Sequence, residues 1–195
     1  MQRFVVRQNI ERFRDRLKIE ADPGLRLWLQ EMLVSSEREL ALFDSNSSGV
    51  RVGLRPASNS YTTADRQLIT KISEENYLAS PHPALILDPR AGLKIIDINL
   101  ACERIMAMEP TKMIGRSLFD LFPDNPACHL SSGIAALYES LCRVAQTCNQ
   151  DFPPSQRYDI CGCDGHFLER YWRFSNFPIY DPQGYLTYLV TEWQS

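Results

Sequence analysis

The chain has 195 residues, 44% of them hydrophobic and 23% charged, a balance that allows one globular core with a short appendage. Its net charge of −3 comes with Lys and Arg scattered among acids, so there is no basic stripe and nucleic acid is not expected as a partner. Charged residues interrupt any apolar leader in residues 1–12 and no apolar run reaches about 18 residues, which excludes a signal peptide or spanning helix and makes the cytoplasm the expected location.

The first element is an amphipathic helix over Phe4 to Leu17. Val6, Ile10, Phe13 and Leu17 recur at helical spacing, with Arg, Glu and Asp opposite. Asp22 and Pro23 form a helix start, since Asp is a good N-cap and Pro suits the first turn. Leu25, Leu29, Met32, Leu33, Leu40 and Phe43 line the second helix, so residues 1–44 read as a helical hairpin. Residues 45–61 are polar, contain Gly and Pro and lack a period, so they read as a linker. Thr62 with Asp65 resembles a capping box opening a helix that carries Leu68, Ile69, Ile72 and Tyr77 and stops before Ser80-Pro81.

The main domain, 62–195 with this leading helix, then alternates short strands and helices. Ala84 to Asp88 and Lys94 to Ile98 form a hairpin about Pro89-Arg-Ala-Gly92. Helical stretches come next at Leu100 to Met108, Pro110 to Phe122 and Gly133 to Cys148, the last with Ile134, Leu137, Leu141 and Val144 in register. Three strands complete the pattern: Gln156 to Cys161, Phe167 to Ile179 and Tyr185 to Trp193. Turn residues at Cys163-Asp164-Gly165 and Asp181-Pro182-Gln183-Gly184 join them.

Several words in this region resemble the PAS family. Ser80-Pro-His-Pro-Ala-Leu-Ile-Leu-Asp-Pro89 is similar to its first strand and turn, and Ile96-Asp-Ile-Asn-Leu-Ala101 to its second strand running into an Asn-initiated helix. Ile114-Gly-Arg-Ser-Leu-Phe-Asp-Leu-Phe-Pro-Asp-Asn-Pro126 is close to the FPDNP run of a subgroup found as sensory boxes in bacterial signalling proteins. Tyr158-Asp-Ile160 and Asp164 to Trp172 are similar to the subgroup's later strands. The resemblance covers about residues 73–195 and departs from the subgroup at Thr191, which stands at a usual His, and at Cys161-Gly162-Cys163.

The resemblance implies an α+β PAS fold: a five-stranded antiparallel sheet with short helices and one longer helix over one face, preceded here by the amphipathic hairpin. It also implies a ligand pocket on the concave face of the sheet. Strand alternation then places Leu85 and Leu87 of the first strand inward, with Tyr158 and Ile160 of the third. Leu168, Arg170, Trp172, Phe174 and Asn176 of the fourth strand and Leu189, Thr191 and Trp193 of the fifth complete the set. The same residues are equally a filled core, and the resemblance names no cofactor. On the other face Phe167, Tyr171, Phe177, Leu186, Tyr188 and Val190 form a second apolar surface, to be covered by the helices at 3–43, the helix at 64–78 or a second copy.

The expected function is a non-catalytic sensory module that binds a small ligand or a partner protein. The last strand reaches Trp193 and the sequence stops at Ser195, so output is expected through the N-terminal helices, as a homodimer, or through a separate kinase or regulator. Two alternatives use specific residues: haem at His129, and a metal or redox site at Cys161, Cys163 and His166. A third is a purely structural dimerisation module. The flavin–cysteinyl chemistry of LOV-type relatives needs Asn-Cys-Arg-Phe-Leu, where this chain has Gly115-Arg-Ser-Leu-Phe119. The other cysteines read as small hydrophobes. No Walker loop, nucleophile elbow or paired-carboxylate signature occurs.

Overall fold

The computed structural model describes residues 2–50, 80–162, 165–181 and 183–195. The helix expected over 62–78, most of the linker at 45–61 and Cys163 lie outside the described residues. Helix α1 (Gln2–Ile19) and helix α2 (Pro23–Ser48) run antiparallel. Asp22 caps α2 by accepting the Leu25 N–H at 2.8 Å, and Arg26 satisfies the last carbonyls of α1 at Leu17 and Glu20. Charged pairs tie the helices together: Arg3 grips Asp44 with both guanidinium arms, at 2.6 and 3.0 Å, and Arg14 meets Glu37 at 2.7 Å.

Helix α2 continues four residues past the expected start of the linker. Ser45 is buried and accepts the Gly92 N–H through its carbonyl at 2.8 Å, while Val50 donates its N–H to Pro89 at 3.0 Å and enters the main core. The polar composition of 45–48 suggested a linker, yet the segment docks on the turn between the first two strands.

Strands β1 (Ala84–Leu87) and β2 (Ile95–Ile98) form that hairpin. Between β2 and the next strand come helices α3 (Leu100–Met106), α4 (Pro110–Met113), α5 (Leu118–Leu121) and α6 (Gly133–Thr147). Asn99 caps α3 by accepting the Cys102 N–H, and its side chain also bonds the chain at His82 and Ala84. Strands β3 (Gln156–Arg157), β6 (Tyr171–Tyr180) and β7 (Leu186–Gln194) complete a five-stranded antiparallel sheet ordered β2-β1-β7-β6-β3. β1 lies between β2 and β7 and is buried along its whole length, which its unbroken apolar run requires.

Two long strands expected from the sequence are interrupted. After β3 the chain leaves the sheet, and β4 (Ile160–Cys161) pairs with β5 (Phe167–Leu168) as a separate ribbon. The interruption comes from side-chain bonds that compete with the ladder: Asp159 holds Arg157 at 2.9 Å through two nitrogens and takes the Arg170 N–H at 3.4 Å, while the Tyr158 N–H still bonds the Arg170 carbonyl across the strands.

Helices α3–α6 and the end of α2 share one core with Leu85, Leu87, Leu189 and Trp193 on one face of the sheet. Ala84, Ile86, Tyr188 and Val190 form a second buried cluster on the other face. The hairpin at 3–43 does not cover this second cluster, because α2 packs on α6, on the opposite side. Leu186, expected with Tyr188 and Val190, instead joins the main core: the register between β6 and β7 shifts at Ile179/Tyr180, and such a bulge reverses the facing of the residues beyond it.

Gly49 sits at φ 59 and ψ −139, and a Cβ there would lie 2.1 Å from the Pro89 carbonyl oxygen. Gly49→Ala is therefore expected to cost about 3 kcal/mol, from backbone strain and overlap together. Equilibrium denaturation would register this as a lowered midpoint.

Candidate functional site

Of the residues expected to line a concave pocket, Leu85, Leu87, Tyr158, Ile160, Trp172, Phe174, Asn176, Leu189, Thr191 and Trp193 are all buried. At the centre they are packed ring to ring. Trp193 contacts Phe122, Phe174, Trp172 and Tyr158 at centroid distances of 5.2, 5.3, 5.6 and 5.7 Å, mostly edge to face.

Arg170 is one of two exceptions among the residues expected to face inward. It is exposed, because the strand alternation that placed it inward is broken between β5 and β6. Leu168, which shares that assumed face, is exposed as well.

Most polar groups of the interior are bonded within it, while Asn176 Oδ1 is buried with no hydrogen-bond partner. Trp193 donates its indole N–H to Thr191 at 3.0 Å, and Trp172 donates to the Tyr158 carbonyl at 2.9 Å. Asn176 donates to Ser140 of α6 at 2.7 Å, and Ser140 donates to Asp151 at 2.5 Å. The Tyr158 hydroxyl donates to the Phe122 carbonyl. Burial pushes that hydroxyl well above its ordinary pKa, with a smaller push from Asp124, so it stays a donor.

The segment from Phe122 to Gly133 connects this interior to the rest of the molecule. Phe122 belongs to the aromatic cluster, while Asp124, two residues on, is buried and faces the hairpin. One oxygen of Asp124 accepts from Arg38 Nε of α2 at 2.7 Å, and the other from the Ile134 N–H at 3.3 Å. Ser132, at the N-cap position of α6, makes no side-chain cap, so Asp124 supplies that bond from outside the helix. Arg38 also donates to the Ser131 carbonyl at 2.7 Å. Burial raises the Asp124 pKa, and Arg38 opposes the rise.

Gly133 makes this approach possible. A Cβ there would meet the Tyr158 ring at 2.7 Å and Asp124 at 3.0 Å. Asn125 donates to Asp159 at 2.8 Å, joining the same loop to the residue that interrupts the sheet edge. In the sequence the FPDNP run stands only as a family word, and Arg38 lies outside the resemblance with no signal of its own.

His129 is exposed on the loop before α6 and takes no part in the aromatic contacts described above. Cys161 and His166 are exposed on the β4–β5 ribbon, and their expected companion Cys163 lies outside the described residues. Among the described residues no group of three His, Cys, Asp or Glu side chains converges as a metal site. Cys102 is fully buried and burial pushes its thiol up to about 12, as suits a small hydrophobe, whereas Cys148 and Cys161 are exposed. A cleft of about 350 Å³ opens elsewhere, where α1, α2 and α6 meet, lined by Arg7, Ile10, Glu37, Ala41 and Tyr138 among others.

The deciding feature for the fold is the sheet order. Numbering its five strands along the chain gives 2-1-5-4-3, antiparallel throughout, with every helix between strands two and three packed on one face. The fold is a PAS fold.

No protein-family model matches the chain, and no curated protein matches it. Among solved structures, the PAS domain of a protein from Colwellia psychrerythraea is similar, with a TM-score of 0.47 at 14% identity over 65% of this chain and 96% of its own. The LOV domain of a blue-light activated histidine kinase from Erythrobacter litoralis gives 0.42 at 18%, over 59% and 95%. An RNA-binding Light-Oxygen-Voltage receptor gives 0.45 at 15%, over 94% of this chain and 48% of its own. None of the described helices is long and apolar enough to cross a membrane.

Asp159 generates a pH dependence whose sign is fixed. Burial pushes its carboxyl up, but the bonds from Arg157 and Asn125 outweigh this and hold it below its ordinary 3.8. A depressed folded value contributes stability that is present above 3.8 and lost as pH falls through the folded value. Asp159→Asn should accordingly lower the melting temperature at neutral pH, and the gap from the unchanged protein should close on acidification, as followed by circular dichroism.

Proposed function

We propose that the chain is a non-catalytic PAS-type signalling module that takes its input from a partner protein and passes it on through the N-terminal hairpin. The observation that carries this reading is the joint state of interior and hairpin. Five aromatic rings occupy the space between sheet and helices, and the loop holding one of them is bonded directly to α2. A small ligand entering the expected pocket would have to displace Trp193 or Tyr158 from a packed core, at a cost of several kcal/mol.

The hairpin favours a homodimer as the working form. Leu25, Trp28 and Met32 recur on one side of α2 and are exposed, as is Ile19 at the same end of α1. Such a concentration of apolar side chains suits an isologous helical interface. The proposed location is the cytoplasm, and the proposed recipient of the signal is a separate kinase or regulator.

Native mass spectrometry of the full chain, purified without a tag, reads both parts of the proposal. Two chains with nothing bound are expected, and one chain for Leu25→Glu/Trp28→Glu. A stoichiometric small molecule would overturn the packed-interior reading, and a monomer for the unchanged protein would overturn the hairpin interface.

A further inference from the structure

We propose that Arg38 is a positioning residue that latches the hairpin to the aromatic interior, so that the placement of the Tyr158 ring decides whether α2 is held or free to pivot. This rests on the reading of the hairpin as the output element.

The connection runs through named bonds. From inside, the Phe122 peptide is placed twice: its ring lies 5.2 Å from Trp193, and its carbonyl accepts the Tyr158 hydroxyl. From outside, Arg38 spans the same loop, taking Asp124 with Nε and the Ser131 carbonyl with Nη2, both at 2.7 Å. Ser131 in turn donates its hydroxyl to the Arg157 carbonyl at 3.2 Å, next to Tyr158 in the chain. A guanidinium is planar and its donors have fixed directions, so these two bonds form together only when Asp124 and Ser131 keep their spacing. A shift of Phe122 carries Asp124 with it and breaks that match.

The second attachment of α2 has a different character. Its end is held by backbone bonds from Ser45 and Val50 to the β1–β2 turn, and by the Tyr138 hydroxyl on the Gly49 carbonyl at 2.8 Å. None of these bonds involves Phe122, Asp124 or Tyr158. Arg38 lies about 15 Å further along the helix from Ser48, at roughly 1.5 Å per residue. Ala41 also enters the main core with Leu42 against it, so α2 has a fixed pivot over 41–50 and a releasable latch at Arg38. Loss of the latch alone leaves the hairpin attached but able to swing.

Hydrogen exchange on the full chain, read by mass spectrometry over the α2 amides, tests the latch with Tyr158→Phe, Arg38→Met and the double variant. Each single change is expected to raise α2 exchange about tenfold while β1 and β7 stay protected, and the double variant to exceed neither. Leu85→Val, which weakens the core without touching the loop, controls for general destabilisation and is expected not to single out α2. Multiplying effects in the double variant, an α2 unmoved by Tyr158→Phe, or the same α2-selective rise in Leu85→Val would each overturn the latch. The outcome separates from the signalling reading: a chain that shows the coupling but engages no partner overturns only the latter, and a dimer without the coupling overturns only the latch.

Discussion

The buried carboxylate of Asp124 is the constraint on which the arrangement depends. A charge removed from water is costly unless each oxygen finds a donor, and here the donors come from two different parts of the chain. Arg38 brings α2 to one oxygen, and the first turn of α6 brings Ile134 to the other. Once that carboxylate is satisfied, the start of α6, the height of the loop and the docking of the hairpin are no longer independent. Removal of Arg38 would leave Asp124 with a single weak donor in a buried place.

The same loop explains why the interior and the hairpin belong to one structure. Its first residue, Phe122, is a member of the aromatic cluster, and Tyr158 bonds its carbonyl from beneath. Gly133 closes the loop at a point where any side chain would strike both Tyr158 and Asp124. The sheet contributes through Trp172 and Trp193, whose indole N–H groups are both bonded within the interior. The aromatic rings of this core pack against one another, and the bonds of Tyr158, Trp172 and Trp193 fix their positions.

Much of this was legible from residue patterns. The unbroken apolar run at Ala84 to Leu87 reads as a central strand, and the helical recurrence of Ile134, Leu137, Leu141 and Val144 reads as the long helix over the sheet. Period-two alternation gives the faces of Trp172, Phe174, Asn176, Leu189, Thr191 and Trp193, but it misses Leu186 beyond the bulge and misplaces Leu168 and Arg170 ahead of β6. It fails ahead of β6 because Asp159 captures Arg157 and the Arg170 N–H, side-chain bonds that no periodicity records. Alternation also cannot separate pocket from core, since the same Trp and Tyr residues serve either. Ser45 to Ser48 read as linker because Ser and Asn are turn formers, yet Ser45 is buried against the β1–β2 turn and bonds the Leu42 carbonyl. The Arg38 pair, spanning 86 residues, has no local signature.

The central claim is that the hairpin and the PAS core form one cooperative unit through Asp124. The chain carries three tryptophans, Trp28 in the hairpin and Trp172 and Trp193 in the interior, so fluorine NMR of 5-fluorotryptophan-labelled protein follows both parts in one denaturant titration. Coincident midpoints for all three resonances are the predicted result. A Trp28 transition complete while Trp172 and Trp193 remain native would contradict it.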